Sequence, residues 1–228
     1  MEVNPSSNPQ RSLDISGSKP DFNWHITTPR LYLSHLNPSN DAHCDLRVAV
    51  LHSPSSKKHN LDAPTLVPDR EAARASIASS VENTFRTGYG RYLISLRTGG
   101  DDEHDNFSER EVELVGNVSM QRNRHSSVPG PLIPDLGFNI LPKYRGKGLA
   151  NEAASHLMQY FREEKGVEAF AGLTDDDNED SKRALRRLGF REWGVRRVRG
   201  VVNGGKEEGL SVWTVGVVDE GTLEGLGL

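Results

Sequence analysis

The sequence predicts one mixed α/β domain. Apolar and polar residues alternate in 28–36, which is the period of a strand, and apolar residues recur at every third or fourth position in 69–85 and 148–164, which is the period of a helix. With the other predicted elements, the order is strand, two helices, three strands, helix, strand, helix and two strands. Strands and helices interleaved in this way pack as helices against a sheet.

The first third of the chain supplies one strand and two helices. The segment TPRLYLSHL (28–36) alternates apolar and polar residues and is predicted as a strand. Helices are predicted at 38–53 and 69–85, where apolar side chains form a stripe along one face. The polar segment between them, 53–68, is expected to be a loop.

Three strands follow in the middle of the chain, at 91–98, 112–123 and 132–141. Between the first two lies an acidic insertion, 99–111, expected to be a solvated turn. A turn is also expected at 126–131, where Ser, Pro and Gly cluster.

The next predicted helix, 148–164, has a marked apolar face, and it leads into a buried strand at 167–174. Near the C-terminal end, 192–202 and 209–218 form a hairpin around the glycine-rich turn NGGKEE.

The sequence marks the C-terminal end of the helix predicted at 181–190. Gly189 occupies the position where a left-handed residue closes a helix, and Phe190 can then pack on Leu185. This is the Schellman arrangement.

The two ends of the sequence contain little that would fold. Residues 1–23 are rich in Ser, Asn and Pro and are expected to be a disordered arm. Residues 219–228 are expected to be a flexible tail, which leaves 24–218 as the folded domain.

Composition excludes several classes of protein. The net charge of −4 argues against binding nucleic acid through overall positive charge, and no apolar run is long enough to span a membrane. The single cysteine, Cys44, excludes an internal disulfide and fits a reducing compartment, so we expect the cytoplasm, with the nucleus as the alternative. No metal is expected, because the acidic run DDDNED (175–180) lacks the glycine and glutamate of a calcium loop.

A candidate anion site precedes the helix at 148–164. The first turn of a helix exposes unpaired backbone N–H groups and the positive end of its dipole. Gly146 and Gly148 let the backbone approach a phosphate closely, while Arg145 and Lys147 add positive charge. The alternative is a basic solvated turn before an ordinary helix. The segment matches neither a P-loop nor a dinucleotide fingerprint.

Three motifs in this order resemble the GNAT superfamily of acyl-CoA-dependent N-acyltransferases. YRGKGLANEA resembles its motif Q/R-x-x-G-x-G/A, with Arg145, Gly148 and Ala150 at the defined positions. DNEDSKRALRRLGF resembles the element in which an Asn, here Asn178, precedes a Gly-Phe pair by eleven positions. TTPRLYLSHL is similar to the first strand of the RimJ/RimL-like branch, which acetylates protein N-termini among other amines. The resemblance covers about residues 26–217.

The resemblance implies a mostly antiparallel, twisted sheet, flanked by helices and splayed where acetyl-CoA binds. The pyrophosphate would lie on the amides of 145–150, and the pantetheine arm along 138–141, as an added strand does. Asn178 and Ser181 would contact the arm from the far side, although both residue types also cap helices well. The residues expected to contact acetyl-CoA are Phe138, Asn139, Ile140, Arg145, Gly146, Lys147, Gly148, Leu149, Ala150, Asn178 and Ser181.

The resemblance also implies direct attack of a primary amine on the thioester. A backbone N–H near 138–140 is the expected oxyanion donor, and Asp135 is the candidate general base, with an exposed turn residue as the alternative interpretation. Many members of the superfamily carry a tyrosine as general acid where this chain has Leu185, so the acid is unassigned.

Three functions therefore remain open at this stage. The first is an N-acetyltransferase acting on a protein N-terminus or a small amine, as a monomer or homodimer. The second is an inactive acyl-CoA-binding sensor or scaffold, which the missing tyrosine permits. The third is a protein of the same fold that uses 145–150 for another anion.

Overall fold

The computed structural model describes residues 20–97, 106–125 and 127–228. Within these residues it contains eight strands and seven helices, which we number in chain order. The strands are β1 (His25–Thr27), β2 (Leu31–His35), β3 (Gly90–Leu96), β4 (Leu114–Gln121), β5 (Asp135–Ile140), β6 (Phe170–Thr174), β7 (Arg191–Val198) and β8 (Glu208–Val215). The helices are α1 (Asp41–Leu51), α2 (Pro54–His59), α3 (Ala63–Leu66), α4 (Arg70–Thr87), α5 (Leu149–Lys165), α6 (Glu179–Arg187) and α7 (Glu220–Gly225).

The eight strands form one sheet in the order β1-β2-β3-β4-β5-β6-β8-β7. Every neighbouring pair is antiparallel except β5 and β6, which are parallel and joined through helix α5. The predicted mixed α/β class, with a mostly antiparallel sheet, is confirmed.

Helices cover both faces of the sheet, as side chains that alternate along each strand require. On one face, Leu157 and Phe161 of α5 pack against Ile94 and Val118. On the other, α1 and α4 cover Leu93 and its neighbours. Because successive residues of a strand point to opposite faces, Arg91 and Leu93 lie on the α1/α4 face, and Tyr92 and Ile94 on the α5 face.

The parallel pair in the middle of the sheet is barely joined. Strands β5 and β6 share a single paired position, Asp135 with Ala171, and then diverge. The neighbouring pair β4–β5 is registered over its whole length, from Gln121 opposite Asp135 to Gly116 opposite Ile140. The edge of β5 that faces β6 beyond Asp135 therefore has no strand beside it.

The end of helix α6 has the predicted Schellman geometry. Gly189 has φ +82°, its N–H donates to the Arg186 carbonyl at 3.1 Å, and the Phe190 N–H donates to the Leu185 carbonyl at 3.1 Å. Leu185 is buried against β6, where a Cβ on Gly172 would lie 2.4 Å from its Cδ2 atom. The side chain at the position of the expected tyrosine is thus part of the core.

The segment 53–68, expected to be a loop, contains the short helices α2 and α3. A signal for α2 is present in the sequence: Ser53 caps the helix by accepting from the Ser56 N–H, and Pro54 occupies the first turn. Both helices lack an apolar stripe, and for this reason the periodicity alone did not predict them.

The C-terminal segment 219–228 was also predicted incorrectly. Instead of a flexible tail it forms α7, capped by Asp219, whose side chain accepts from the Thr222 N–H. Leu223 and Leu228 are buried in a third apolar cluster with Val198 and Val212 of the β7–β8 hairpin. The three glycines of this segment suggested a flexible chain, although its leucines are spaced to pack against the sheet.

Two other expectations fall on residues that the structure does not describe. Residues 1–19 of the expected arm lie outside the described residues, as do 99–105 of the acidic insertion. Within the described ranges, no helix is long and apolar enough to cross a membrane.

We predict that Leu223→Ala lowers the free energy of unfolding by about 2–5 kcal/mol, because a fully buried leucine is replaced by a cavity. Urea denaturation of both proteins measures the difference. Leu61→Ala, at a leucine that is 79% exposed, is the control and should change stability little. A Leu223→Ala protein as stable as the wild type would show that α7 is not docked on the sheet.

Candidate functional site

A cavity of about 830 Å³ lies where β5 and β6 diverge. Its wall includes residues of α1, α2, α4 and β3 on one side of the sheet and residues of α5 and α6 on the other. The divergence of the two strands thus opens one continuous space that reaches both faces of the sheet.

The N-terminus of α5 opens onto this cavity without a side-chain cap. Its N-cap is Gly148, at φ +76°, whose carbonyl accepts the first intrahelical bond from the Glu152 N–H at 3.1 Å. Five other helices have their first turn capped by a side chain, namely Asn40, Ser53, Asp69, Asn178 and Asp219. The first-turn N–H groups of α5 are available to an anion.

The residues predicted to form the anion site, 145–150, which we call the phosphate cradle, divide into two groups. Arg145, Gly146, Gly148, Leu149 and Ala150 all line the cavity. Gly146, at φ +74°, has open space where a Cβ would stand, and so leaves room for a bulky ligand.

Lys147 is not among the described residues that form the cavity wall. Its Nζ lies 5.5 Å from the centre of the Tyr144 ring, and it is exposed. Arg145 instead donates from Nε to the Ile140 carbonyl at 3.1 Å, which holds the turn against the end of β5. The two cations that the sequence placed together therefore have different surroundings.

A partly buried carboxylate fixes the turn before α5. Glu152 accepts hydrogen bonds from the Thr28 hydroxyl at 2.7 Å and from the Arg30 Nε at 2.6 Å, and Arg30 also donates to the Lys147 carbonyl at 3.0 Å. Burial alone would raise the pKa of the Glu152 carboxyl, but the bonds from Thr28 and Arg30 outweigh it and hold that pKa below its ordinary value. Residues 28–30, predicted from the pattern as the start of a strand, thus position the cradle.

The strand residues expected to contact the pantetheine arm, Phe138, Asn139 and Ile140, line the cavity. They belong to the part of β5 that has no paired residue in β6. Backbone N–H and C=O groups on that edge can receive an extended amide chain as a neighbouring strand would.

Asn178 and Ser181 line the opposite wall, at the start of α6. Asn178 caps this helix, with its side-chain oxygen accepting from the Ser181 N–H at 3.2 Å. The capping role and a ligand-binding role are compatible, because the cap uses Oδ1 and leaves the Nδ2 donor group available.

Asp135 is neither an exposed turn residue nor part of the described cavity wall. It is 6% exposed at the start of β5, and Arg124 binds both of its carboxylate oxygens, one of them from Nε at 3.3 Å. Burial raises its pKa, against the opposing effect of Arg124 and Arg91. The interpretation as an exposed turn residue was wrong, and the role of Asp135 as a base stays a prediction.

Among the residues of the cavity wall that sequence reasoning missed are His59, Arg47 and Arg91. His59 ends α2, and its Nδ1 lies 2.6 Å from Asp175 Oδ2 at the end of β6. Lys58 pairs with Asp177 at 2.7 Å, so two contacts join α2 to the loop before α6. No sequence signal predicted these two contacts, because the paired residues are more than 100 positions apart and because His59 and Lys58 lie in a segment expected to be a loop.

His59, Asp175 and Asp177 also form a group whose potential ligand atoms lie within 4.8 Å of one another. Asp177 is exposed and paired with Lys58, and His59 already contacts Asp175. These contacts explain why the three residues lie close together: they join α2 to the loop before α6.

The chain belongs to the GNAT acetyltransferases: residues 30–191 match the family described as "Acetyltransferase (GNAT) domain". This match covers more than half of the sequence, and it confirms the resemblance inferred from the three motifs.

Individual proteins of known structure have a similar fold. An acetyltransferase from Agrobacterium tumefaciens str. C58 is 18% identical, with a TM-score of 0.58 over 87% of this chain and 95% of that one. RimL, a ribosomal L7/L12 alpha-N-protein acetyltransferase solved with coenzyme A, is 19% identical, with a TM-score of 0.60 over 84% of this chain and 97% of that one. These likenesses concern the fold.

A curated relative, the uncharacterized N-acetyltransferase YoaA of Bacillus subtilis (strain 168), is 28% identical over 85 residues. The alignment covers 37% of this chain and 46% of that protein, so this chain spans about half the length of the relative it matches.

We predict that Glu152→Gln lowers the free energy of unfolding by about 1–3 kcal/mol at neutral pH, because a partly buried carboxylate loses its charge-assisted bonds to Thr28 and Arg30. The lowered pKa adds stability above the carboxyl's ordinary pKa, and that stability is lost as the pH falls through the pKa of the folded protein. The difference between variant and wild type should therefore shrink in acid. Glu164→Gln, on the exposed side of α5, is the control; equal effects of both would contradict the assignment.

Proposed function

We propose that this protein is an N-acetyltransferase that moves an acetyl group from acetyl-CoA to a primary amine. The observation that carries the proposal is the single cavity that joins the uncapped N-terminus of α5 to the unpaired edge of β5. Membership of the GNAT family supports it.

The cavity wall fits the parts of acetyl-CoA in order. The open turn at Gly146 and Gly148, with the first N–H groups of α5, would hold the pyrophosphate. Phe138, Asn139 and Ile140 would pair with the pantetheine amides, and the far wall at Asn178 and Ser181 would offer further donors. Coenzyme A in the RimL structure is consistent with this assignment.

Acetyl transfer from a thioester to an amine needs few reactive side chains. The neutral amine attacks the thioester carbonyl carbon, a C–N bond forms, the C–S bond breaks, and the thiolate leaves as the amine loses a proton. A backbone N–H of the free β5 edge would stabilise the oxyanion. Asp135, directly or through water, is the proposed acceptor of the amine proton.

The alternative function is an acyl-CoA-binding protein without turnover. One observation favours it. Where many family members carry a tyrosine, this chain has Leu185, an apolar side chain buried against Gly172, which cannot protonate the leaving thiolate. Release of free thiol from acetyl-CoA, measured with a panel of peptides and small amines and without amine, separates the two functions. Binding of CoA with no amine-dependent thiol release from any member of the panel would favour the alternative.

We predict that Gly148→Glu weakens CoA binding by about 100-fold or more, because a carboxylate enters the space of the pyrophosphate and charge-assisted bonds are lost. Isothermal titration with CoA measures the effect. Gly88→Glu is the matched control, since Gly88 also has φ +76° but ends α4 away from the cavity; a Cβ at Gly88 would meet nothing within 4 Å, and one at Gly148 would lie 3.6 Å from Arg30 Nη2. Both variants carry the same backbone strain; if Gly148→Glu keeps wild-type affinity, the cradle is not the phosphate site.

We predict that Asp135→Asn lowers kcat by about 100-fold or less, the usual contribution of one general base. The loss should shrink as the pH rises from 6 to 9, because more of the amine is then already deprotonated. Arg124→Gln separates this role from an effect of the ion pair. A pH-independent loss of the same size in both variants would assign Asp135 a structural role.

A further inference from the structure

Arg47 of α1 and Arg91 of β3 both line the cavity, on the α1/α4 face of the sheet. Both side chains are partly removed from solvent. Burial lowers the pKa of Arg47 to about 10, and burial together with the nearby Arg47 and Arg124 cations lowers the pKa of Arg91 to about 9. Two guanidinium groups therefore share a poorly hydrated space.

Within the described ranges, neither arginine has a hydrogen bond or an ion pair from its side chain. The carboxylate that acts on Arg91 is Asp135, but Arg124 already binds both of its oxygens. By contrast, Arg70 and Arg74 at the start of α4 are paired with Asp41 or Asp45. Burying unpaired positive charge is costly, so this arrangement calls for a negative partner beyond the described residues.

The Asn117 amide and the Ser76 hydroxyl are two further donors beside the same space. Asn117 of β4 is 4% exposed, and its Nδ2 group has no partner within the described ranges. A small inner pocket is lined by Asn117 together with Arg47, Ser76 and Arg91, the three of which also line the main cavity. The inner pocket, of about 10 Å³, therefore adjoins the cavity through these three shared residues. Guanidinium and amide N–H groups only donate, so their partner must accept.

Acetyl-CoA does not account for these donors. The phosphate cradle at α5 and the wall at α6 belong to the face of the sheet whose core contains Leu157 and Leu185. Arg91 belongs to the opposite face, in register with Ser119 and, through it, with Gly137. Gly137 directly precedes the strand residues proposed to hold the arm that carries the thioester. The donors therefore lie on the side from which an amine would approach.

We propose that Arg47 and Arg91, with Asn117 and Ser76, form a subsite for an oxyanion, a carboxylate or a phosphate, carried by the acceptor amine. The proposal rests on the proposed function and narrows the acceptor to amines with an acidic group. The anion would supply the missing counter-charge and hold the amine against the thioester.

The first experiment measures anion binding directly, by thermal shift of protein saturated with CoA. Glutarate and inorganic phosphate, each against sodium chloride of equal ionic strength, distinguish a carboxylate subsite from a phosphate subsite. We expect at least one of them to raise Tm in the wild type and to lose that effect in Arg47→Gln and Arg91→Gln. Arg70→Gln, at a paired arginine outside the described cavity wall, should keep it.

The variants also have an expected stability without any anion. Removing one of two unpaired, partly buried charges should leave Tm unchanged or raise it, whereas loss of a structural arginine would lower it. Asn117→Asp provides a second route, because its carboxylate supplies an internal counter-ion. That variant should be at least as stable as the wild type and should no longer respond to glutarate or phosphate.

The second experiment compares kcat/KM for two matched pairs of acceptors, 4-aminobutanoate with 4-aminobutanamide and O-phosphoethanolamine with ethanolamine. We expect the wild type to prefer the acidic member of at least one pair by tenfold or more, and both Gln variants to reduce that ratio toward one. Absence of anion stabilisation in the wild type, or stabilisation that persists in both Gln variants, overturns the subsite. Absence of acetyl transfer to any amine overturns the proposed function alone, since the thermal comparison between variants does not depend on turnover.

Discussion

The divergence of β5 from β6 is the constraint on which the site depends. Two parallel neighbours that pair only at Asp135 and Ala171 leave a free backbone edge and a gap through the sheet. The gap is maintained from both sides, since β5 is fully registered on β4 and β6 is fully registered on β8. Closing it would cost pairing elsewhere, so the cavity is a property of the sheet and not of a mobile loop.

The remaining parts of the site are arranged around this gap by local rules. Glycine at the start of α5 removes the side-chain cap that five other helices have, and Glu152 fixes the turn through Thr28 and Arg30. Leu185 fills the space beside Gly172 and stabilises the end of α6. The result is a rigid wall that offers backbone donors, which suits a reaction that depends more on position than on a reactive side chain.

The sequence predicted those features that depend on neighbouring residues. The cradle at 145–150 and the end of α6 at Gly189 follow from local spacing, and both the fold class and the GNAT resemblance were confirmed. Arg47 and Arg91 could not be found in this way, because only packing of α1 on the sheet brings them together. Helices α2 and α7 were missed because each is short and is defined by a cap rather than by an apolar stripe.

The pairs His59–Asp175 and Lys58–Asp177 have a consequence for exchange of ligands with solvent. They connect α2, on one side of the cavity, to the loop before α6, on the other, so separating these two walls breaks the Lys58–Asp177 ion pair and the contact between His59 and Asp175. Lys58 and Asp177 are well exposed, so dissolved salt weakens the attraction between them. A rise in the ionic strength of the medium therefore loosens the Lys58–Asp177 contact between these two walls.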